Sequence, residues 1–244
     1  MFQWMLLAAC VGCAEDRKTE DPPTARRVEC RRLRGPIRLD GVLDERAWQD
    51  AQPVKEFAVF WQKRKAKSAT TARLLWDDTH LYFSAEMEDR DLFALTKERN
   101  GMTWEDDVFE LFFKPHTDRP AYYEFQVNAL NTHLELALPS RGAGGYRRFA
   151  PLTKIGMESA VKLNGTLNDH TDVDTGWTVE GRIPWKGFAM TGGAPKVGDT
   201  WRFALCRYDY SVSLPRVEQS STAPLTQPDF HRYEDYGELT FVGP

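Results

Sequence analysis

Trp104-Glu105-Asp106-Asp107-Val108-Phe109-Glu110-Leu111-Phe112-Phe113, a turn over residues 116–120, and Tyr122-Tyr123-Glu124-Phe125-Gln126-Val127-Asn128 decide the fold of this chain. Side chains alternate between the two faces of a strand, so the two runs read as a β-hairpin. With Asp118 at the turn centre, Phe109 opposes Val127, Leu111 opposes Phe125 and Phe113 opposes Tyr123. Every pair on that face is apolar, which makes it the buried one. The other face sets Val108 across from Asn128, Glu110 across from Gln126 and Phe112 across from Glu124. A slip of one residue would drive Glu110 and Gln126 into the core, so the hydrophobic pattern holds the register tightly. The polar flank is expected to face water. Trp104 shares parity with Glu110, yet six residues of extended chain would separate them by about 20 Å. It is therefore expected on a loop folded back over the polar face.

Working outward, the same alternation continues along the chain. Strands are expected at Thr71 to Trp76 and Leu81 to Glu88, joined through Asp77-Asp78-Thr79-His80, and at Val108 to Lys114, Tyr122 to Ala129 and His133 to Ala137. Others follow at Ser159 to Leu167, Trp177 to Ile183, Trp201 to Tyr210 and Gly237 to Val242. One helical turn is expected at Glu45 to Ala51, capped by Asp44, with Trp48 facing inward. Many strands and few helices indicate an all-β fold, an antiparallel β-sandwich with short helical turns. The stretch from Pro139 to Gly156, with Gly142, Gly144 and Gly145, is too long for a simple connection and suits binding or disorder. No repeat or break in composition follows residue 28, so residues 28–244 read as one domain.

The 244 residues carry 32 Lys and Arg against 36 Asp and Glu, a net charge of -4, which offers no general attraction to phosphate backbones and argues against a nucleic-acid partner. Arg26, Arg27, Arg31, Arg32 and Arg34 form the one basic cluster, read as a linker or solvated edge strand. Phe2 to Gly12 is apolar apart from Gln3, and Leu7-Ala8-Ala9-Cys10 resembles a lipobox, with Cys13 a second candidate for acylation. Residues 1–13 are thus expected to be an export segment and residues 14–27, rich in charge with Pro22-Pro23, a tether. The membrane is then reached only through a lipid anchor, because the apolar run is shorter than the roughly 20 residues a spanning helix needs. Cys30 and Cys206 remain, either as a disulfide or as two buried thiols, and no Cys or His cluster suggests zinc. Nothing in the sequence sets an oligomeric state.

A sheet face bearing carboxylate, amide and aromatic groups is the surface a sugar needs: planar polar groups for its hydroxyls, rings for its C–H faces. Ile37-Arg38-Leu39-Asp40-Gly41-Val42-Leu43-Asp44-Glu45-Arg46-Ala47-Trp48, Leu75-Trp76-Asp77-Asp78-Thr79-His80-Leu81-Tyr82 and the Trp104, Asp107, Glu110 spacing resemble the family 9 carbohydrate-binding modules. Gly176-Trp177-Thr178-Val179-Glu180-Gly181-Arg182-Ile183-Pro184-Trp185, Gly198-Asp199-Thr200-Trp201-Arg202-Phe203 and the closing Phe230-His231 to Tyr236-Gly237 extend the resemblance over residues 36 to 242. It implies one jelly-roll or immunoglobulin-like sandwich, related to DOMON domains, that holds an oligo- or polysaccharide without covalent chemistry. In the family's sugar-binding members two aromatics grip the ligand end while acid, amide and arginine side chains hold its hydroxyls. Trp104 matches the first aromatic and Glu110 the acid; Gln126 stands where the arginine would be, Asn128 follows it, and the second aromatic position falls at Phe230 or His231. Some relatives carry structural calcium, for which Asp77, Asp78, Asp89, Asp169, Asp172 and Asp174 offer oxygens without calcium-loop spacing. Two competing readings remain. One is a glycosidase using Glu105 with Glu110 or Glu110 with Glu124. The other, from the DOMON relatives, is a haem site drawing on Met87, Met102 and His133. Ser220, Ser221 and His231 read as loop polar groups rather than a triad.

Overall fold

Period-two alternation becomes strand pairing in a computed structural model that describes residues 27–243. The strands are β1 (Arg27–Arg32), β2 (Ala58–Val59), β3 (Arg64–Lys65), β4 (Thr70–Trp76), β5 (His80–Met87), β6 (Val108–Lys114) and β7 (Tyr122–Asn128). After them come β8 (His133–Leu138), β9 (Glu158–Asn164), β10 (Gly176–Pro184), β11 (Thr200–Asp209), β12 (Glu218–Ser221) and β13 (Gly237–Phe241). Two short helices, α1 (Arg46–Asp50) and α2 (Gly145–Phe149), punctuate them. The expected export segment with Cys10 and Cys13, and the tether up to residue 26, lie outside the described residues.

One sheet runs β8-β7-β6-β11, and the far edge of β11 is shared: Thr200–Phe203 pairs with β13 and Cys206–Asp209 with β12. The other runs β4-β5-β10-β9, antiparallel throughout. β1 joins the two. Its residues Arg27 to Cys30 pair parallel with β13, and Arg31 and Arg32 pair parallel with β4. The sandwich is therefore not wholly antiparallel. The arginine-rich stretch is no linker or free edge either: β1 lies between two neighbours, with Val28 and Cys30 buried and the arginines directed to the surface. The strands that pattern reading passes over are β2 and β3, two residues each, and β12, Glu218-Gln219-Ser220-Ser221, which has no apolar alternation to detect.

Between the sheets Phe109, Leu111, Phe113, Tyr123, Phe125 and Val127 meet Leu74, Phe83, Met87, Trp177, Val179 and Ile183. Fully burying one such side chain is worth about 1.5–3 kcal/mol, so this layer supplies most of the driving force. Phe113 stacks edge-on against Phe188 and Trp201, with centroids 6.2 and 6.3 Å away.

The outer face of the second sheet carries its own layer. Trp48 of α1 packs with Ala47, Leu75 and Tyr82. Its indole N–H donates to Glu180 Oε2 at 3.1 Å, and the other Glu180 oxygen accepts from the Asp40 and Gly41 backbone N–H groups at 2.8 and 2.9 Å. Gly41 has φ +80°, and a Cβ there would meet the backbone of Val161 and Lys162 at 2.8 Å. The Asp40-Gly41 turn is thus clamped to β10 by one buried carboxylate. The helix start differs from expectation: Glu45, not Asp44, takes the N-cap position, and it makes no capping bond. The Glu45 side chain turns back instead to accept from the Arg38 N–H.

Replacing Glu180 by Ala leaves three donors at this clamp without their acceptor, each costing about 1–3 kcal/mol. Glu180→Ala is expected to lower the unfolding free energy by roughly 3 kcal/mol or more in urea denaturation, against little change for Glu158→Ala on the exposed edge strand.

Candidate functional site

The hairpin register is the expected one: Glu110 pairs with Gln126, Val108 with Asn128 and Phe112 with Glu124. β11 and β8 extend these pairs into rows. Cys206, Glu110, Gln126 and Leu134 stand abreast, and next to them Ala204, Phe112, Glu124 and Leu136. The polar flank does not face water, however. Glu110, Gln126 and Asn128 are 2 %, 1 % and 0 % exposed. The cause is a third layer: residues 139–156 and 222–236 fold across the sheet and bring Ala150, Ala223, Leu225, Phe230 and Tyr236 over it. What stays open is a cleft of about 290 Å³ floored by Glu110, Glu124 and Gln126, with Trp104, Tyr146, Tyr208, Phe230 and His231 as walls.

Each wall is held in place. Trp104 rides on a one-turn 3₁₀ helix, Thr103–Glu105, whose Thr103 hydroxyl donates to Gln126 Oε1 at 2.5 Å. Its carbonyl accepts from the Tyr210 hydroxyl, and its ring meets Tyr146 edge-on at 4.7 Å. Tyr146 comes from α2, inside the glycine-rich stretch that sequence marks as too long for a connection. Phe230 is fixed through its carbonyl, which accepts from Tyr236 Oη at 2.5 Å, and lies 5.4 Å from the Tyr208 ring. The His231 Nδ1 shares a hydrogen bond with the Tyr122 hydroxyl at 2.9 Å, leaving Nε2 3.9 Å from Glu124 Oε2.

Five of the six expected ligand residues, Trp104, Glu110, Gln126, Phe230 and His231, therefore line one cleft. Asn128 does not. Its amide N–H groups donate to Thr96 O and Asp106 Oδ2, in the segments flanking Trp104, and its oxygen accepts from Leu130 and Thr132 in the turn after β7, so every valence is used structurally. Glu124, Tyr146, Tyr208, Gln219 and Asp229 are among the further residues that line it. Tyr208 could have been found from the alternation of β11; Gln219 carries no sequence signal.

The floor is electrostatically loaded. Gln126 donates to Glu124 Oε1 at 2.6 Å, while Glu124 Oε2 has no hydrogen-bond partner. Burial, then the neighbouring Glu124, push the Glu110 acid well above the carboxylate range. Burial also raises Glu124, against the pull of His231 and Gln126. In its neutral form, which this shift favours, Glu110 can offer both a donor and an acceptor to the cleft. Across from it, Cys206 is a free thiol raised by burial and by Glu110, and its Sγ–H donates to Ser221 Oγ at 3.4 Å. Cys30 is also free, buried in the central core while Cys206 lies in the outer layer, so the two are not paired.

Among the described residues one carboxylate group has metal-like spacing: Asp89, Asp107 and Asp209, whose oxygens lie within 4.8 Å of one another. It does not fit calcium, which takes six to eight oxygens. Arg207 Nη2 already sits between Asp89 Oδ2 at 2.9 Å and Asp209 Oδ2 at 3.3 Å, and both Asp107 oxygens accept short bonds from the Phe93 and Tyr210 N–H groups. Burial pushes Asp89 up to about 6 in spite of Arg207. Of the other aspartates considered, Asp77, Asp169 and Asp174 accept backbone N–H bonds in turns and Asp78 pairs with Arg32. The haem candidates are scattered too. Met87 is inside the core, Met102 is exposed, and both His133 nitrogens are engaged, with Arg99 and Ser159.

Residues 39–244 match the family described as carbohydrate family 9 binding domain-like. Endo-1,4-beta-xylanase A of Thermotoga maritima is 28% identical over 153 residues, which is 61% of this chain but only 12% of that enzyme. The chain thus spans a small fraction of the curated relatives it matches. Two solved structures share the fold. A family 9 carbohydrate binding module from Caldicellulosiruptor kristjanssonii, in complex with cellotriose, superposes with TM-score 0.60 at 18% identity over 90% of this chain and 95% of its own. A candidate carbohydrate-binding protein from Bacteroides uniformis reaches TM-score 0.71 at 16% identity, covering 89% and 100%.

The raised acid at the cleft floor has a consequence for stability. A carboxyl that is protonated in the fold and ionised when unfolded gives the native state more protons, so stability falls as pH rises above the unfolded value of about 4.3. Glu110→Gln removes this term. The variant's Tm is expected to exceed the parent's at pH 8, with the gap closing toward pH 4.5, in thermal unfolding followed by circular dichroism.

Proposed function

Since the chain belongs to the carbohydrate family 9 binding domain-like family, we propose that it binds one end of an oligo- or polysaccharide in the cleft beneath Trp104 and performs no covalent chemistry on it. The observation that carries this reading is the cleft itself. A buried acid, Glu110, stands beside the oriented amide of Gln126 at the bottom of a slot walled by Trp104, Tyr146 and Phe230. About 290 Å³ is at the small end of ligand sites, which suits a terminal sugar rather than a polymer lying across. The ring faces take the sugar's C–H surface, and Glu110 and Gln126 take its hydroxyls. Gln126 in place of an arginine makes recognition of the end less charge-dependent. The cellotriose complex of the Caldicellulosiruptor kristjanssonii module makes β-linked glucose oligomers the first ligands to try.

Glu110 and Glu124 share a face and could be taken for an acid and base. Burial pushes both acids upward, and Gln126 occupies one oxygen of Glu124, which opposes the ionised form that an attacking or water-activating carboxylate of this pair would need. This favours binding without hydrolysis. The domain, which begins with β1 at Arg27, acts as one binding unit, tethered by the preceding residues from 14 onward to a lipid carried on Cys10 or Cys13. A polysaccharide cannot cross a membrane, so the domain meets its ligand outside the cytoplasm, in the cell envelope or beyond, in the service of carbohydrate catabolism.

Trp104→Ala is expected to weaken binding of cello-oligosaccharides in calorimetry by roughly 30-fold or more, the size of an aromatic hot spot. The same change should cost only about 1 kcal/mol of stability, because the indole is half-buried and rests on one ring. Unchanged affinity would remove Trp104 and this cleft from the reading. Incubation with the same sugars should release no new reducing ends. Mass analysis of the mature N-terminus should find diacylglycerol on Cys10 or Cys13; an unmodified Met1 terminus would sink the anchor.

A further inference from the structure

Tyr146 has two sides. One forms part of the sugar cleft; the other lines a second, larger groove of about 660 Å³. Its charged walls are Arg99, Arg147, Lys154 and Lys186, and no carboxylate lines it. This runs against the chain as a whole, which has 36 acidic and 32 basic residues. The four cations also come from three separate parts of the sequence: the loop before Trp104, the α2 stretch and the turn after β10.

A buried acid beneath the groove helps to fix its geometry. Glu135 of β8 is fully buried and pairs with Arg99 at 2.8 Å. It also accepts from the backbone N–H groups of Ile155, Gly156 and Met157, which pins the segment bearing Lys154 to the sheet. Its charge is therefore spent. Asn100 holds the opposite wall by donating to the Ala150 carbonyl at 2.8 Å and accepting through its own carbonyl from Tyr146 Oη at 2.9 Å. Arg147, Lys154 and Lys186 are exposed and have no ion pair among the described residues. A groove lined by free cations, beside an aromatic ring shared with the sugar cleft, suits an anionic neighbour of the bound sugar.

We propose that this groove is a subsite for an acidic sugar unit, so that the preferred ligand is a glycan bearing carboxylate or sulfate groups next to the residue held under Trp104. The inference rests on the carbohydrate-binding reading of the cleft and adds the charge class of the ligand. Uronate and sulfate share the chemistry the cations recognise, one or more oxygens carrying negative charge.

The test uses the full chain and three ligands with one backbone: a cello-oligosaccharide, the same oligosaccharide oxidised to carboxylate at C6, and the same sulfated at C6. In calorimetry at low salt, at least one anionic form is expected to bind about tenfold tighter than the neutral one, the combined effect of a few partly screened ion pairs. Which form gains identifies uronate or sulfate. Lys154→Glu with Lys186→Glu, both on exposed side chains, should abolish the gain while leaving neutral binding and Tm unchanged. Trp104→Ala should weaken all three ligands together. Equal affinity for the three in the parent overturns the subsite and leaves the carbohydrate reading standing. Failure of the parent to bind any of them overturns both. Poly-glutamate bound as tightly as the oxidised sugar also overturns the subsite, since it shows charge attraction without sugar recognition.

Discussion

The pairing of Glu110 with Gln126 across β6 and β7 is the constraint on which the rest depends. Because a strand's side chains alternate, that pair is compelled to face away from Phe109, Leu111 and Phe113 as soon as those enter the core. The central layer therefore orients the cleft floor without touching it. A mutation in the apolar face would disturb the site by changing where β6 lies, and the polar face would follow.

Burying a row of acid and amide groups is costly unless something offsets it. Here the cost is met in three different ways. Glu180 and Glu135 each collect several backbone N–H bonds and become staples for a turn and a loop. Asp89 and Asp209 share Arg207, which reaches from β11 to the carbonyls of Ala69 and Glu88 and so ties one sheet to the other inside the sandwich. Glu110 is offset by neither. Burial and the neighbouring Glu124 push it toward its neutral form instead. The contrast sets Glu110 apart from the acids that staple the fold, although their burial is alike.

The two cavities divide the chemistry between them. Buried acids, an amide and aromatic rings line the cleft, whereas the groove behind Tyr146 gathers positive charge. Tyr146 is the hinge of this arrangement, since its ring braces Trp104 and its hydroxyl braces Asn100. The covering layer that brings it there is made of long loops, which is where binding groups are commonly carried on a rigid sheet.

By itself the sequence determined the strands with clear alternation, the hairpin register, the inward Trp48 and the gathering of Trp104, Glu110, Gln126, Phe230 and His231, because these follow from local periodicity or from motif order. It could not reveal β2, β3 or β12, whose residues carry no pattern, nor the parallel role of β1, whose arginines look like a linker until its two partners are in place. Nor could it foresee that the polar face would be roofed over. That outcome belongs to contacts between residues more than 80 positions apart, such as Tyr122 with His231 and Arg141 with Glu234. Asn128 shows the same limit: its side-chain parity points it toward a ligand, and only the folded loop at Thr96 and Asp106 claims its hydrogen bonds first. Alternation specifies which way a side chain points; what it meets there is settled by the chain that packs against it.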